Sequence, residues 1–127
     1  MSPETVDYLE TAQRILKRAR SEFEMGAYDA SARDAYLAAL SVTRGIIFDE
    51  TGIATKTHAG AQAQMFKMLR DGYPIDRAFV EFLRDGFDTK QNLDYGASDE
   101  VPRETAERYL QAASDFLAQA RNVASRR

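Results

Sequence analysis

Cysteine and tryptophan are absent from the 127 residues, and histidine occurs once. Without cysteine the chain forms no disulfide and no thiolate metal site, and a reducing compartment is permitted. A lone His58 does not make the multi-histidine sets that hold zinc, so neither a metal nor another cofactor is expected. No apolar run approaches the roughly 18 residues of a membrane span, so no membrane partner is expected. The opening MSPETVDYLE is acidic and has no signal-peptide core, which points to a cytoplasmic location. A basic excess is also missing: 17 Lys and Arg face 20 Asp and Glu, for a net charge of −3. Broad, charge-driven nucleic-acid binding would carry a basic footprint. The local clusters KRAR, Lys17–Arg20, and SRR at the end of the chain read as a solvated helix face and a frayed tail. The seven glycines are scattered, so no phosphate-cradling loop is present.

What is present is helical. Hydrophobic residues make up 44% and charged residues 29%, a globular profile, and the length suits one domain, 1–127. A first helix is expected from Pro3, with Ser2 as its cap and Val6, Leu9, Gln13, Leu16, Ala19 and Phe23 as its apolar stripe. Gly26 should end it in the left-handed conformation. A second helix is expected from about Ala27 to Asp49, stopped by Thr51 and Gly52, making an antiparallel hairpin with the first. Thr57 should cap a third, His58 to about Arg70, burying Met65, Phe66 and Leu69. A fourth begins near Asp76 and buries Ala78, Phe79, Phe82, Leu83 and Leu93, with Gly86 as a weak point. Pro102 opens a fifth, whose Ala106, Tyr109, Leu110, Ala113, Phe116, Leu117, Ala120 and Val123 give the cleanest periodicity. No alternating strand pattern stands out. The expected fold is an all-α antiparallel up-and-down bundle of four main helices and a shorter one.

The stretch YDASARDAYLAAL, Tyr28–Leu40, sets Tyr28, Ala32, Ala35 and Ala39 on one side of a helix, with Tyr36 beside them. Small residues admit a neighbouring backbone, so this reads first as a helix–helix seam, and Asp29 and Arg33 are spaced to pair. His58 reads first as a helix-start residue with a local hydrogen bond. The alternatives are a general base or a phosphate contact at a helix N-terminus. In FDTKQNLDYG, Lys90, Asp94 and Tyr95 close a helix, as a charge-paired end or as a functional cluster.

In this order the segments resemble the HEPN domain family of small helical bundles. EMGAYDASARDAYLAAL is similar to the family's Gly-Tyr, Ala-rich, Arg and aromatic run. TKTHAG is similar to its Thr-His-x-Gly segment, LDYG to its Asp-Tyr pair, and the last helix to its Ala- and Glu-rich one. The resemblance implies a homodimer, often paired with a minimal nucleotidyltransferase as a toxin–antitoxin-like system. Active members cleave RNA through an Arg-x4–6-His motif. Here neither arginine nor histidine lies between Phe87 and Ala97, Lys90 stands where related sequences carry arginine, and Leu37 replaces a frequent second tyrosine. Lysine keeps the charge but not the bidentate fork. The expectation is therefore a non-catalytic interaction or nucleotide-binding module, with Arg33, Tyr36, His58, Lys90, Asp94 and Tyr95 lining a groove for a nucleotide, RNA or partner. The alternatives are a degenerate metal-independent endoribonuclease using His58, and a purely structural helical adaptor.

Overall fold

The computed structural model describes residues 1–96 and 100–125. Helix α1 (Pro3–Glu24) starts where the Ser2 side chain accepts the Thr5 N–H, satisfying a donor that the first turn leaves free. Gly26 follows its end with φ +80°. Helix α2 (Tyr28–Thr51) ends at a left-handed Gly52. Thr57 caps the short α3 (His58–Arg70) by accepting from the Gly60 N–H at 2.9 Å. Helices α4 (Ala78–Asp94) and α5 (Arg103–Ser125) complete an all-α bundle of four long helices and a shorter one, and the described residues contain no strand.

The chain packs around α2, which touches each of the other four helices. Its low polarity follows from that position: fourteen of its residues are buried, among them Ser31, Ala32, Ala35, Tyr36, Ala39 and Ile47. The seam expected from the alanines is real and internal, with Ala32, Ala35 and Ala39 each 0% exposed. Two buried hydroxyls bolt α1 to α2. Ser31 Oγ donates to the Ala19 carbonyl at 2.8 Å, and Ser41 Oγ to the Tyr8 carbonyl at 2.7 Å. Gly45 permits this approach, since a Cβ there would sit 3.0 Å from Tyr8 Cβ.

Several local expectations change. On α1 the buried stripe is Thr5, Leu9, Ala12, Leu16 and Ala19, whereas Gln13 is exposed and accepts a hydrogen bond from Arg121 on α5. Asp29 and Arg33 do not pair. Asp29 accepts the Val101 backbone N–H at 2.7 Å, and Arg33 turns to Asp94. On α3 the buried side is Ala61, Met65 and Met68, while Phe66 is 48% exposed. Ala78 is exposed at the start of α4. The KRAR cluster is not wholly solvated: Arg18 pairs with Asp34 and Arg20 donates to Ser114. The last two residues of SRR lie outside the described residues. Gly86 does not break α4; it is buried and makes room for a ring, as the site below requires.

Candidate functional site

Three helices converge on Tyr36. This side chain is fully buried in the middle of α2, and burial pushes its phenol up to about 12. It therefore keeps its proton near neutral pH. Its hydroxyl lies 2.7 Å from Nδ1 of His58, the first residue of α3. Gln62 provides a side-chain hydrogen bond to the same phenol, the effect of which is to favour the ionised oxygen. Tyr36 thus joins His58 and Gln62 through one phenol oxygen.

The ring cluster has a third member. Tyr36 and His58 stack with centroids 5.8 Å apart and planes 21° from parallel, and Phe87 of α4 leans on the imidazole at 5.3 Å. α4 comes this close because of Gly86: a Cβ there would meet Tyr36 Cδ1 at 2.7 Å and Cβ at 3.1 Å. Burial lowers the His58 pKa first, and the positive charges of Lys90 and Arg44 lower it further. The imidazole is neutral at pH 7.

A charged network borders these rings. Asp94, at the end of α4, accepts from Arg33 Nε at 2.8 Å through Oδ1 and from Lys90 Nζ at 2.5 Å through Oδ2. Those two bonds hold its carboxyl well below the usual range, at about 2. Hydrogen bonding to Asp94 raises the Arg33 pKa, helped by the charges of Asp34 and Glu22. Behind Arg33, Asp34 is 6% exposed and accepts from Arg18 Nε at 3.1 Å. Glu22 lies beside it with one carboxylate oxygen buried and unpaired. Burial, a hydrogen bond to Asp34 and its charge raise the Glu22 pKa to about 7.

Of the six residues expected to share a groove, Tyr36 and His58 bond each other, and Arg33 and Lys90 bond Asp94; the charge of Lys90 is felt at His58. Tyr95 stands apart. It caps α4 with its side chain 79% exposed and joins neither the rings nor the network. Its φ of −99° and ψ of 5° mark the end of the helix, where the side chain swings to solvent.

Sequence reasoning missed Arg44, Gln62 and Phe87. Arg44 sits two helical turns after Tyr36, with Nε buried and unpaired by any protein atom among the described residues. The i, i+8 spacing from Tyr36 was a usable signal; the convergence of α3 and α4 on that row was not. Among the described residues, no three His, Cys, Asp or Glu side chains are grouped to hold a metal ion.

The HEPN domain profile matches residues 5–123. The chain belongs to the HEPN domain family. It is also similar to a UPF0332 protein of Archaeoglobus fulgidus, 27% identical over 115 residues, which are 91% of this chain and 90% of that protein. The HEPN match spans all five helices, so the ring cluster and the Asp94 network both lie within the family domain. Among the described residues no helix of this HEPN chain is long and apolar enough to cross a membrane.

Proposed function

We propose that this HEPN protein is a non-catalytic binding module whose α2–α3–α4 cluster receives the phosphate of a nucleotide or of RNA. What supports this reading is the Asp94 carboxylate that gathers Arg33 and Lys90, with the charges of Lys90 and Arg44 felt at a His58 bonded to Tyr36. Arg44 adds a guanidinium whose buried Nε has no partner among the described residues. A guanidinium suits a phosphate oxygen where its outer nitrogens reach one. Arg33 and Lys90 are steered by their common carboxylate, Asp94. General acid–base cleavage of RNA needs proton transfer in both directions. His58 is the single histidine, and one of its nitrogens is engaged by Tyr36. This supports binding over catalysis. Homodimerisation, and pairing with a minimal nucleotidyltransferase in a toxin–antitoxin-like system, belong to the same reading and rest on the family alone.

Thermal scanning with a panel of nucleotides and short RNAs tests the site. A ligand at about 100 times its dissociation constant adds roughly 2.7 kcal/mol of stability. Lys90→Ala and Arg44→Ala should abolish that gain. No shift with any ligand would favour the structural adaptor. RNA cleavage by the purified protein that disappears in His58→Ala would overturn the non-catalytic reading in favour of the endoribonuclease.

A further inference from the structure

Arg18 and Glu22, one turn apart on α1, both reach Asp34 of α2. Arg18 grips it with Nε on Oδ2 at 3.1 Å and a terminal nitrogen on Oδ1 at 3.4 Å. Glu22 meets it carboxyl to carboxyl. The Ser31–Ala19 bond fixes α1 against α2 three residues before each acid, so the encounter is built into the helix pair. Ionised carboxylates only accept hydrogen bonds, so this one forms only when one of the two acids carries a proton. Their surroundings place that proton. Asp34 is 6% exposed and already has the Arg18 guanidinium. Glu22 has no ion pair among the described residues, and its Oε1 is buried without a donor. A carboxylate there would be desolvated without compensation, so the proton belongs on Glu22.

We propose that Glu22 and Asp34 hold one proton between them, and that its release is a pH switch on the charge of the Asp94 network. Arg33 links the two. It precedes Asp34 on α2, feels the charges of Asp34 and Glu22, and carries its Nε to Asp94 at 2.8 Å. Asp94 also holds Lys90, whose charge reaches His58. With the proton in place, three cations, Arg18, Arg33 and Lys90, stand against two anions, Asp34 and Asp94. Ionised Glu22 cancels the excess. The charges facing Glu22 are Arg18 on its own helix and Asp34 and Arg33 on α2. On the α5 side, Arg103 lies over the neighbouring Phe23 ring, 5.4 Å from its centroid. Burial and Asp34 outweigh the arginines and push the Glu22 carboxyl up to about 7, so the switch turns near neutral pH. Below that pH the network should favour an anion more than above it. This last consequence rests on the phosphate-binding reading, whereas the switch itself does not.

Carbon-13 NMR of the side-chain carboxyls in the full chain, with the Arg33 Nε–H followed in parallel from about pH 5 to 9, tests this. Glu22 should titrate with a midpoint near 7, and the Arg33 signal should move with the same midpoint. In Glu22→Gln, which stays uncharged, that movement of Arg33 should vanish. Asp34→Asn should lower the Glu22 midpoint, because the hydrogen bond and the charge of Asp34 both raise it. A Glu22 midpoint at its ordinary 4.5 overturns the shared proton, and an Arg33 signal that ignores the titration overturns the switch. Sulfate supplies the binding readout, since its charge stays fixed over this range. The wild type should bind it about threefold tighter near pH 6 than near pH 8.5, and Glu22→Gln should lose most of that difference. A variant that keeps the full difference overturns the switch. If the wild type binds no sulfate at either pH while the two NMR midpoints coincide, the phosphate reading fails and the switch is upheld.

Discussion

At the scale of residues, the decisive contacts are a hydroxyl, a hydrogen atom and an imidazole. Tyr36→Phe removes the hydroxyl bonded to His58 Nδ1 and leaves that nitrogen unpaired, at a cost of roughly 1 kcal/mol. Burial and the charges of Lys90 and Arg44 set the His58 pKa, so it should stay below its ordinary value in this variant. A histidine titration by NMR on both proteins checks this, and a return to the ordinary value would show that the hydroxyl holds the pKa down. Gly86→Ala sets two effects against each other. Alanine favours the helix by about 1 kcal/mol. Its methyl would stand 2.7 Å from the buried Tyr36 ring, and overpacking of that kind costs roughly 1–3 kcal/mol. Net destabilisation is expected in urea unfolding, together with weaker ligand binding. His58 was legible as the single histidine, and Arg33 and Tyr36 because the family resemblance picks them out. Phe87 and Arg44 were not, since a half-buried phenylalanine and a helix arginine are ordinary in sequence.

At the scale of elements, α3 carries the site at its first residue, so the cap of α3 matters more than its length. Thr57→Ala deletes the acceptor for the Gly60 N–H and should cost about 1 kcal/mol. Fraying of that turn moves His58, so the variant should also weaken ligand binding. Chemical denaturation and the nucleotide scan measure the two effects, and a stability loss with full binding would detach the cap from the site. The caps at Ser2 and Thr57 and the stops at Gly26 and Gly52 were readable, because local hydrogen bonding and backbone conformation set them. The stripe of α3 was read in part: Met65 is buried as expected, but the bundle closes over Ala61 and Met68 beside it and leaves Phe66 outside. Which of two adjacent apolar stripes faces inward depends on where α2 and α4 lie.

For the whole molecule, pH links the two ionic groups to stability with opposite signs. The folded-state pKa of Glu22, about 7, exceeds its ordinary 4.5. Its contribution is fully present below pH 4.5 and is lost as pH rises through 7. The folded-state pKa of His58 lies below 6.5, so its contribution is present above pH 6.5 and is lost as pH falls. Between pH 6.5 and 8, then, Glu22 alone of these two should make stability decline. Glu22→Gln should raise the melting temperature at pH 8 by roughly 3 °C and leave it unchanged below pH 4.5. Equal effects at both pH values would show that the carboxyl does not titrate in this window.

The sequence by itself determined the helices, their caps, the all-α class and the family likeness. Those follow from periodicity and short-range chemistry, which act between residues a few positions apart. Tertiary structure decided which side chains meet. Arg33 has an acid four positions before it, yet it bonds Asp94, sixty-one positions away, because α4 crosses α2 at that level. Asp29, left free, ties down the backbone before α5. Tyr36 and His58 are twenty-two residues apart and meet because α3 sets its first residue against α2, while Gly86 lets α4 approach the same ring. Such pairings depend on how five helices pack at once, and no local rule carries that information.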